Sequence, residues 1–250
     1  MFKQLSSVAV LAVLLSTSAQ AEVLKRDTSI GIGGRIHMGT DAKASNMANF
    51  FALSAKHKVA ADWGQLALKA KYENPFGLKD HRYTGDALIS FKTYADLYVH
   101  LGDSNFQLWW DEFSTGSTKI VEFTNLGGVA YHNSIGKLKY KIGAGAAYSM
   151  GHTPKASFNG PSYIGTRLDL IYPINKKLVA FAMYDSRWDR DEDFNDVYNW
   201  DKDHGHHAML GGKYRFNDKF DLAVVYHHFN EMGGYNENGE SIDLNFSYHL

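Results

Sequence analysis

Apolar and polar side chains alternate to the very end of the chain. In ESIDLNFSYHL, Ile242, Leu244, Phe246, Tyr248 and Leu250 fall on one side of an extended segment, and Ser241, Asp243, Asn245, Ser247 and His249 fall on the other, because successive strand residues point to opposite faces. The same period of two recurs upstream. Phe220, Leu222, Val224 and Tyr226 alternate with Asp221, Ala223, Val225 and His227, and Ala208, Leu210, Gly212, Tyr214 and Phe216 alternate with His207, Met209, Gly211, Lys213 and Arg215. Asn217-Asp218-Lys219 between them is a tight hairpin connection. Two more hairpins are read around Pro173 to Lys177 and around His132 to Gly136, the latter followed by Leu138, Tyr140, Ile142, Ala144, Ala146 and Tyr148 against Lys139, Lys141, Gly143, Gly145, Ala147 and Ser149.

The remaining connections, Gly151 to Pro161, Asp189 to Gly205 and Glu231 to Glu240, are longer and more polar. Short turns therefore alternate with long loops, as they do when every second connection of an up-and-down barrel lies at the same rim. On this basis strands are expected near 28–39, 47–58, 62–73, 83–101, 105–113, 117–131, 137–150, 162–172, 178–188, 206–216, 220–230 and 240–250. The fold class is all-β, a transmembrane antiparallel up-and-down β-barrel of 12 strands, with 10 or 14 as alternatives. Two places strain the pattern: Phe50-Phe51 breaks the alternation, and Glu122 falls on the parity read as apolar, which asks for a bulge, a slipped register or a position at the membrane rim.

The N-terminus changes what such a sheet means. Lys3, the apolar run Val8 to Leu15 and the small-residue tail Ser18-Ala19-Gln20-Ala21 have the layout of a cleaved secretory signal. Residues 1–21 are read as signal and 22–250 as one barrel domain. No stretch approaches the roughly 20 apolar residues that a membrane-crossing helix needs. The chain has no cysteine, so disulfides cannot pin it. Removing Lys3 leaves 25 basic against 27 acidic residues, a balance that gives no support to nucleic-acid binding. The 15 Tyr, 15 Phe, 5 Trp and 23 Gly against 4 Pro favour strands as building material.

A soluble barrel buries its apolar face, whereas a membrane barrel presents that face to lipid and keeps a polar lumen. The apolar stripes end near the turns in Tyr72, Tyr148, Tyr172, Tyr184, Tyr214, Phe216, Phe220, Tyr226 and Tyr248, placed as headgroup-level girdles would be. Together with the signal, this predicts a barrel in the cell outer membrane. Its expected partners are outer-membrane lipids and lipopolysaccharide outside and small hydrophilic solutes inside, with no nucleic acid.

Asp243 to Leu250 resembles the closing strand of Gram-negative outer-membrane proteins, whose terminal aromatic the barrel insertion machinery reads; here the last residue is Leu, while Phe246 and Tyr248 keep the spacing. In size and strand count the chain is similar to the small monomeric porins, in particular the oligogalacturonate-specific type. That resemblance implies twelve strands, a monomer, and a channel lined by basic side chains suited to acidic sugars.

The strand parities place Arg35, His37, Lys69, Lys71, Lys92, Lys139, Lys141, Arg167, Arg187, Lys213 and Arg215 on the inner wall, facing Asp86, Asp96, Asp111, Asp169, Asp185, Asp221 and Asp243. Opposed charges on a narrow wall set up a field that orients solutes. Arg35, Lys69, Lys139, Lys141, Arg167, Asp169, Arg187, Lys213 and Trp109 are the candidate pore-lining, solute-contacting residues. The function read from them is a diffusion channel for small hydrophilic solutes, including anions and acidic oligosaccharides, against a general solute pore. Trp63, Tyr94, Tyr98, Trp109 and Tyr163 are read as inward aromatics that pack the lumen or offer sugars a sliding surface.

No cofactor or metal is expected. His204, His206 and His207 beside Asp201 and Asp203 have metal-ligand types but fit a solvated or pore-occluding loop, with pH gating as an alternative. Trp188 to Asp196 fails as a calcium loop, since Phe194 stands at the glycine position. Gly143-Ala-Gly145 reads as room within the wall. Two other classes stay open: a non-conducting structural or adhesive barrel, and an outer-membrane lipid hydrolase in which His132 takes the proton of Ser134 on a lipid-facing strand.

Overall fold

The computed structural model describes residues 22–39, 47–79 and 88–250; the expected signal at 1–21 and Asp86 lie outside them. The strands are β1 (Val23–Met38), β2 (Phe50–Ala61), β3 (Gly64–Glu73), β4 (Ser90–His100), β5 (Phe106–Ser117), β6 (Val121–Ile135), β7 (Leu138–His152), β8 (Ser157–Pro173), β9 (Leu178–Trp188), β10 (Gly205–Arg215), β11 (Phe220–Asn230) and β12 (Asn238–His249), and the short helix α1 (Glu192–Tyr198) lies between β9 and β10. Each strand pairs antiparallel with its sequence neighbours, and β1 pairs with β12 to close a barrel of twelve strands. Closure leaves no edge with unpaired backbone groups.

Polarity is inverted relative to a soluble barrel. Ile30, Ile32 and Ile36 of β1, Leu210 of β10, and Ile242, Leu244 and Phe246 of β12 are exposed on the outer wall, while His37, Lys71, Glu73, Asp221, His227 and Asp243 are buried inside. The closing register shows how alternation does this: Ile32 pairs with Phe246 outside, and Arg35 pairs with Asp243 inside. Exposed Tyr72, Tyr148, Tyr172, Tyr184, Tyr214 and Tyr226 flank the apolar band. This is the architecture of an outer-membrane β-barrel.

The start of β1 and the end of β12 lie at one rim with the connections 62–63, 101–105, 136–137, 174–177 and 216–219; the opposite rim carries the end of β1, the start of β2, the end of β3, the start of β4 and the connections 118–120, 153–156, 189–204 and 231–237. The turn 136–137 needs only two residues because Gly136 takes a φ of +58°. In outer-membrane barrels the rim of short turns faces the periplasm and the rim of long loops faces outside.

Three expectations need correction. The loop expected from Gly151 to Pro161 is mostly strand, with only 153–156 connecting β7 to β8. A bulge hides it: the register passes from Ala147 opposite Tyr163 to Tyr148 opposite Pro161, leaving Ser162 as an extra residue. The bulge switches the inward parity of β8, so that Phe158 and Tyr163 are both buried inside and alternation seems to stop at Pro161. Secondly, β6 has neither bulge nor slip. Its inner face is Glu122, Thr124, Leu126 and Ala130, all buried, and its outer face carries the exposed Val121 and Val129; the parity was reversed because an inward Leu126 imitates a lipid-facing residue. Thirdly, His132 to Ile135 belong to β6 and not to the turn.

Candidate functional site

The lumen is layered along the axis. Nearest the turn rim lie Lys56 and Lys58 of β2, Lys69 of β3, Lys139 and Lys141 of β7 and Lys213 of β10. Among the described residues Lys56, Lys58, Lys69, Lys139 and Lys141 have no carboxylate within 4.0 Å. Lys69 Nζ lies 5.0 Å from the Tyr94 ring centre and Lys141 Nζ 3.1 Å from that of Tyr98. Lys213 Nζ is 3.6 Å from Asp221, whose carboxylate also meets His249 Nε2 at 2.7 Å; His249 Nδ1 reaches Asp27 at 2.7 Å. Lys56, Lys58 and Lys139 remain exposed.

At mid-height the charges pair across the wall. Arg167 of β8 donates to Asp96 of β4 at 3.0 Å and Asp111 of β5 at 2.9 Å, with Asp169 at 3.7 Å. Arg35 forks onto Asp243 at 2.6 and 2.9 Å, and Asp243 lies 3.4 Å from His227, which meets His207 at 2.9 Å. Glu73 holds Lys71 at 3.0 Å and Lys92 at 2.7 Å. Trp109 is buried and parallel to Tyr98, ring centres 6.3 Å apart. The gap between Tyr98, Trp109, Ala130, Lys141, Arg167 and Asp169 has no room for a water molecule.

The loop-rim third is filled by the connection 189–204, which turns inward. Asp191 caps α1 by accepting from the Asp193 N–H, and Asn199 ends it in the left-handed region. Phe194, Val197 and Tyr198 share one helix face; Phe194 is fully buried against Phe158, Tyr163, Tyr198 and Trp200. Arg187 of β9 lies 4.6 Å from the Tyr163 ring centre and 6.0 Å from that of Phe194.

A continuous contact chain then crosses the barrel. The Tyr198 hydroxyl donates to Glu122 of β6, Tyr198 stacks on Trp200 at 4.3 Å, Trp200 Nε1 donates to the Tyr235 carbonyl at 2.8 Å, and the Tyr235 hydroxyl meets His37 Nδ1 of β1 at 2.5 Å. β6 and β1 are nearly opposite in a ring of twelve strands, so this chain spans the bore.

Arg190 secures it. Its guanidinium donates to the backbone carbonyls of Glu231 (2.7 Å), Lys202 (2.8 Å) and His204, and faces the Glu231 carboxylate at 3.4 Å. Glu231 also accepts from the Lys202 N–H at 2.8 Å and meets Lys202 Nζ at 3.0 Å. Burial first, and then the nearby Arg187, pull the Arg190 guanidinium down to about 10, so it remains charged at neutral pH.

The wall therefore gathers Arg35, Lys69, Lys141, Arg167, Asp169, Arg187, Lys213 and Trp109 around one lumen, with Lys139 at its periplasmic mouth. Sequence reasoning did not find Lys56 and Lys58, Arg190 and Glu231, or the aromatic plug. For the plug a signal existed, since Phe194, Val197 and Tyr198 stand at helical spacing within an acidic loop. Trp63 lies in the β2–β3 turn and not on the wall. His204, His206 and His207 diverge: His207 turns to the lumen, His206 packs against Tyr184 and His228, and His204 stacks on Trp188. His132 turns against His100, ring centres 5.6 Å apart, and no hydrogen bond joins it to Ser134; the lipid-facing pair that hydrolysis needs is not formed. Outside the lumen, a groove of about 600 Å³ lined by Ile30, Ile32, Leu53, Tyr72, Phe91 and Phe246 lies on the lipid-facing wall.

No family model matches the sequence, and no curated protein matches it. Solved structures do. The NanC porin superimposes with a TM-score of 0.53 at 11% identity, over 88% of this chain and 100% of that one. The KdgM porin in complex with disordered oligogalacturonate gives 0.53 at 6% identity, over 88% and 98%. An outer-membrane channel from Pseudomonas putida F1 gives 0.56 at 13% identity, over 92% and 98%. At these identities the likeness is one of fold, a closed antiparallel β-barrel.

Proposed function

We propose that the protein is an outer-membrane diffusion channel for small hydrophilic solutes that favours anions, acidic oligosaccharides among them. One observation carries the preference: the charge left over inside. Among the described residues the lumen carboxylates Glu73, Asp96, Asp111, Asp169, Asp221 and Asp243 each have a basic partner within 4.0 Å and Asp185 and Glu122 have none, against five lysines without one, Lys56, Lys58, Lys69, Lys139 and Lys141. Unpaired cations on a low-dielectric wall attract anions and raise their local concentration. The oligogalacturonate held by the KdgM porin is a solute of this chemistry. On this reading residues 1–21 direct export and are removed, the insertion machinery engages β12, and the barrel acts as a monomer among outer-membrane lipids and lipopolysaccharide.

Planar bilayers with a salt gradient test it. The expected reversal potential is that of an anion-selective pore, shifted toward cations in the Lys56→Glu, Lys58→Glu double variant and blocked by oligogalacturonate more than by a neutral oligosaccharide of equal length. Cation selectivity of the wild type would defeat the preference. The filled upper lumen favours a second reading, a closed structural barrel, and absence of conductance from every variant would establish that instead.

A further inference from the structure

We propose that the segment 190–203 is a displaceable plug, latched closed by Arg190 and Glu231, and that solute passes only when it leaves the bore. The proposal rests on the channel reading above.

Three features separate a removable plug from permanent filling. The first is how it is attached. The segment closes on itself at its neck, where the Arg190 N–H donates to the Asp203 carbonyl at 2.9 Å. Beyond the neck, few hydrogen bonds tie its polar groups to the rest of the molecule: from the Asp191 N–H to the Ser162 carbonyl, from Tyr198 to Glu122, from Trp200 Nε1 to the Tyr235 carbonyl and from the Lys202 N–H to the Glu231 carboxylate. α1 adds no strand to the sheet, so the barrel keeps all its pairings whether the segment is in or out.

The second is the latch. Arg190 and Glu231 have side chains 0% and 2% exposed. Arg190 belongs to the plug and Glu231 to the neighbouring β11–β12 connection, so this buried contact joins the two loops, with Lys202–Glu231 and Trp200–Tyr235 bonds beside it. A buried ion pair adds little net stability over an apolar equivalent, but losing one partner strands the other charge. That makes it a contact with two distinct states. Left-handed backbone at Asp189 (φ +52°) and Glu231 (φ +45°) marks the chain reversals at both ends of this contact.

The third is what lies underneath. A barrel filled for good has no need of Lys56, Lys58, Lys69 and Lys141 pointing unpaired into its axis, because unpaired charge in a sealed interior is costly. Lys56 and Lys58 are exposed at the turn-rim mouth, on the far side of the bore from the plug.

The chain contains no cysteine, which makes a locking experiment clean. Cysteines replacing Glu122 and Tyr198 are bridged with a short bis-maleimide in the folded barrel, and bridged and unbridged forms of the same preparation are compared in planar bilayers. Two further variants are Arg190→Gln and replacement of 191–200 by a glycine-serine segment of equal length, with folding checked by heat-dependent gel mobility. The unbridged form and both variants should conduct more than the wild type, severalfold for the replaced segment, and bridging should abolish openings. Conductance unaffected by bridging, or a replaced segment that conducts no better than the wild type, overturns the plug while leaving the channel standing. Silence from every form, the replaced segment included, overturns the channel reading itself.

Discussion

Arg35 and Asp243 form a two-pronged ion pair, 2.6 and 2.9 Å, across the seam where the first strand meets the last. They are cross-strand partners on the inner wall, so the contact reports directly on whether the barrel has closed. Arg35 also lies 5.8 Å from the ring centres of Phe50 and Phe229, which shield one side of it and keep the pair from full hydration.

Arg35→Met should therefore destabilise the barrel, by about 2 kcal/mol on the scale of charged hydrogen bonds that leave a buried partner behind. Asp243 would keep only His227. Adding Asp243→Leu removes the stranded charge and should recover much of the loss. Thermal unfolding of the four proteins of this cycle gives the coupling, expected at about 1–3 kcal/mol. A coupling near zero would mean the seam closes without help from this pair.

Glycines on β7 and β8 make space for side chains from other strands. A Cβ on Gly143 would stand 2.8 Å from Trp109 Cε3, and one on Gly165 would stand 2.4 Å from Leu126 Cδ1. Large inward residues thus lie over bare backbone. Gly165→Ala should drive Leu126 from its place at about 1–3 kcal/mol, the usual range for overpacking, and Leu126→Ala in the same protein should relieve part of it. The melting temperature of the double variant checks this; no relief would mean that the clash is taken up elsewhere.

That packing explains what could be read from the sequence and what could not. Lipid sets one rule for every second outward residue, so Ile242, Leu244 and Phe246 disclose β12, and eleven further strands follow by the same test. The lumen sets no such rule. It admits Leu126 wherever glycines leave room, so β6 was read with its faces exchanged, and it admits Phe50 because that ring covers Lys71 at 4.6 Å, so β2 seemed to lose its alternation. Lys56 and Lys58 were missed on the same strand. The inward fold of α1 depends on contacts with Phe158, Tyr163 and Tyr235, all distant from Phe194 along the chain.

The outer wall offers a test of the inversion itself. Leu244 is 52% exposed at mid-strand and paired with Gly34. In lipid, Leu244→Arg should cost about 2–4 kcal/mol, as charged substitutions near the midplane of such barrels do, and should slow insertion into vesicles. On a water-facing surface the same change would be nearly neutral. Folding yields and unfolding midpoints in lipid distinguish the two, and an unperturbed Leu244→Arg barrel would place that face in water.

Arg167 offers the sharpest test of how charge is arranged in the bore. It reaches from β8 to Asp96 and Asp111 on β4 and β5, with Asp169 beside it, so one cation neutralises a group of carboxylates that would otherwise repel. Arg167→Met exposes that group. Two consequences follow from the sign alone: the folded barrel becomes less stable at neutral pH, and the mid-lumen potential becomes more negative. Stability should return on adding Asp111→Asn at neutral pH. In bilayers, with the plug segment replaced so that current can be read, Arg167→Met should move the reversal potential toward cations and Asp111→Asn should move it back. A reversal potential indifferent to both changes would mean that permeating ions do not pass this layer, and the selectivity would have to be sought at Lys56 and Lys58 instead.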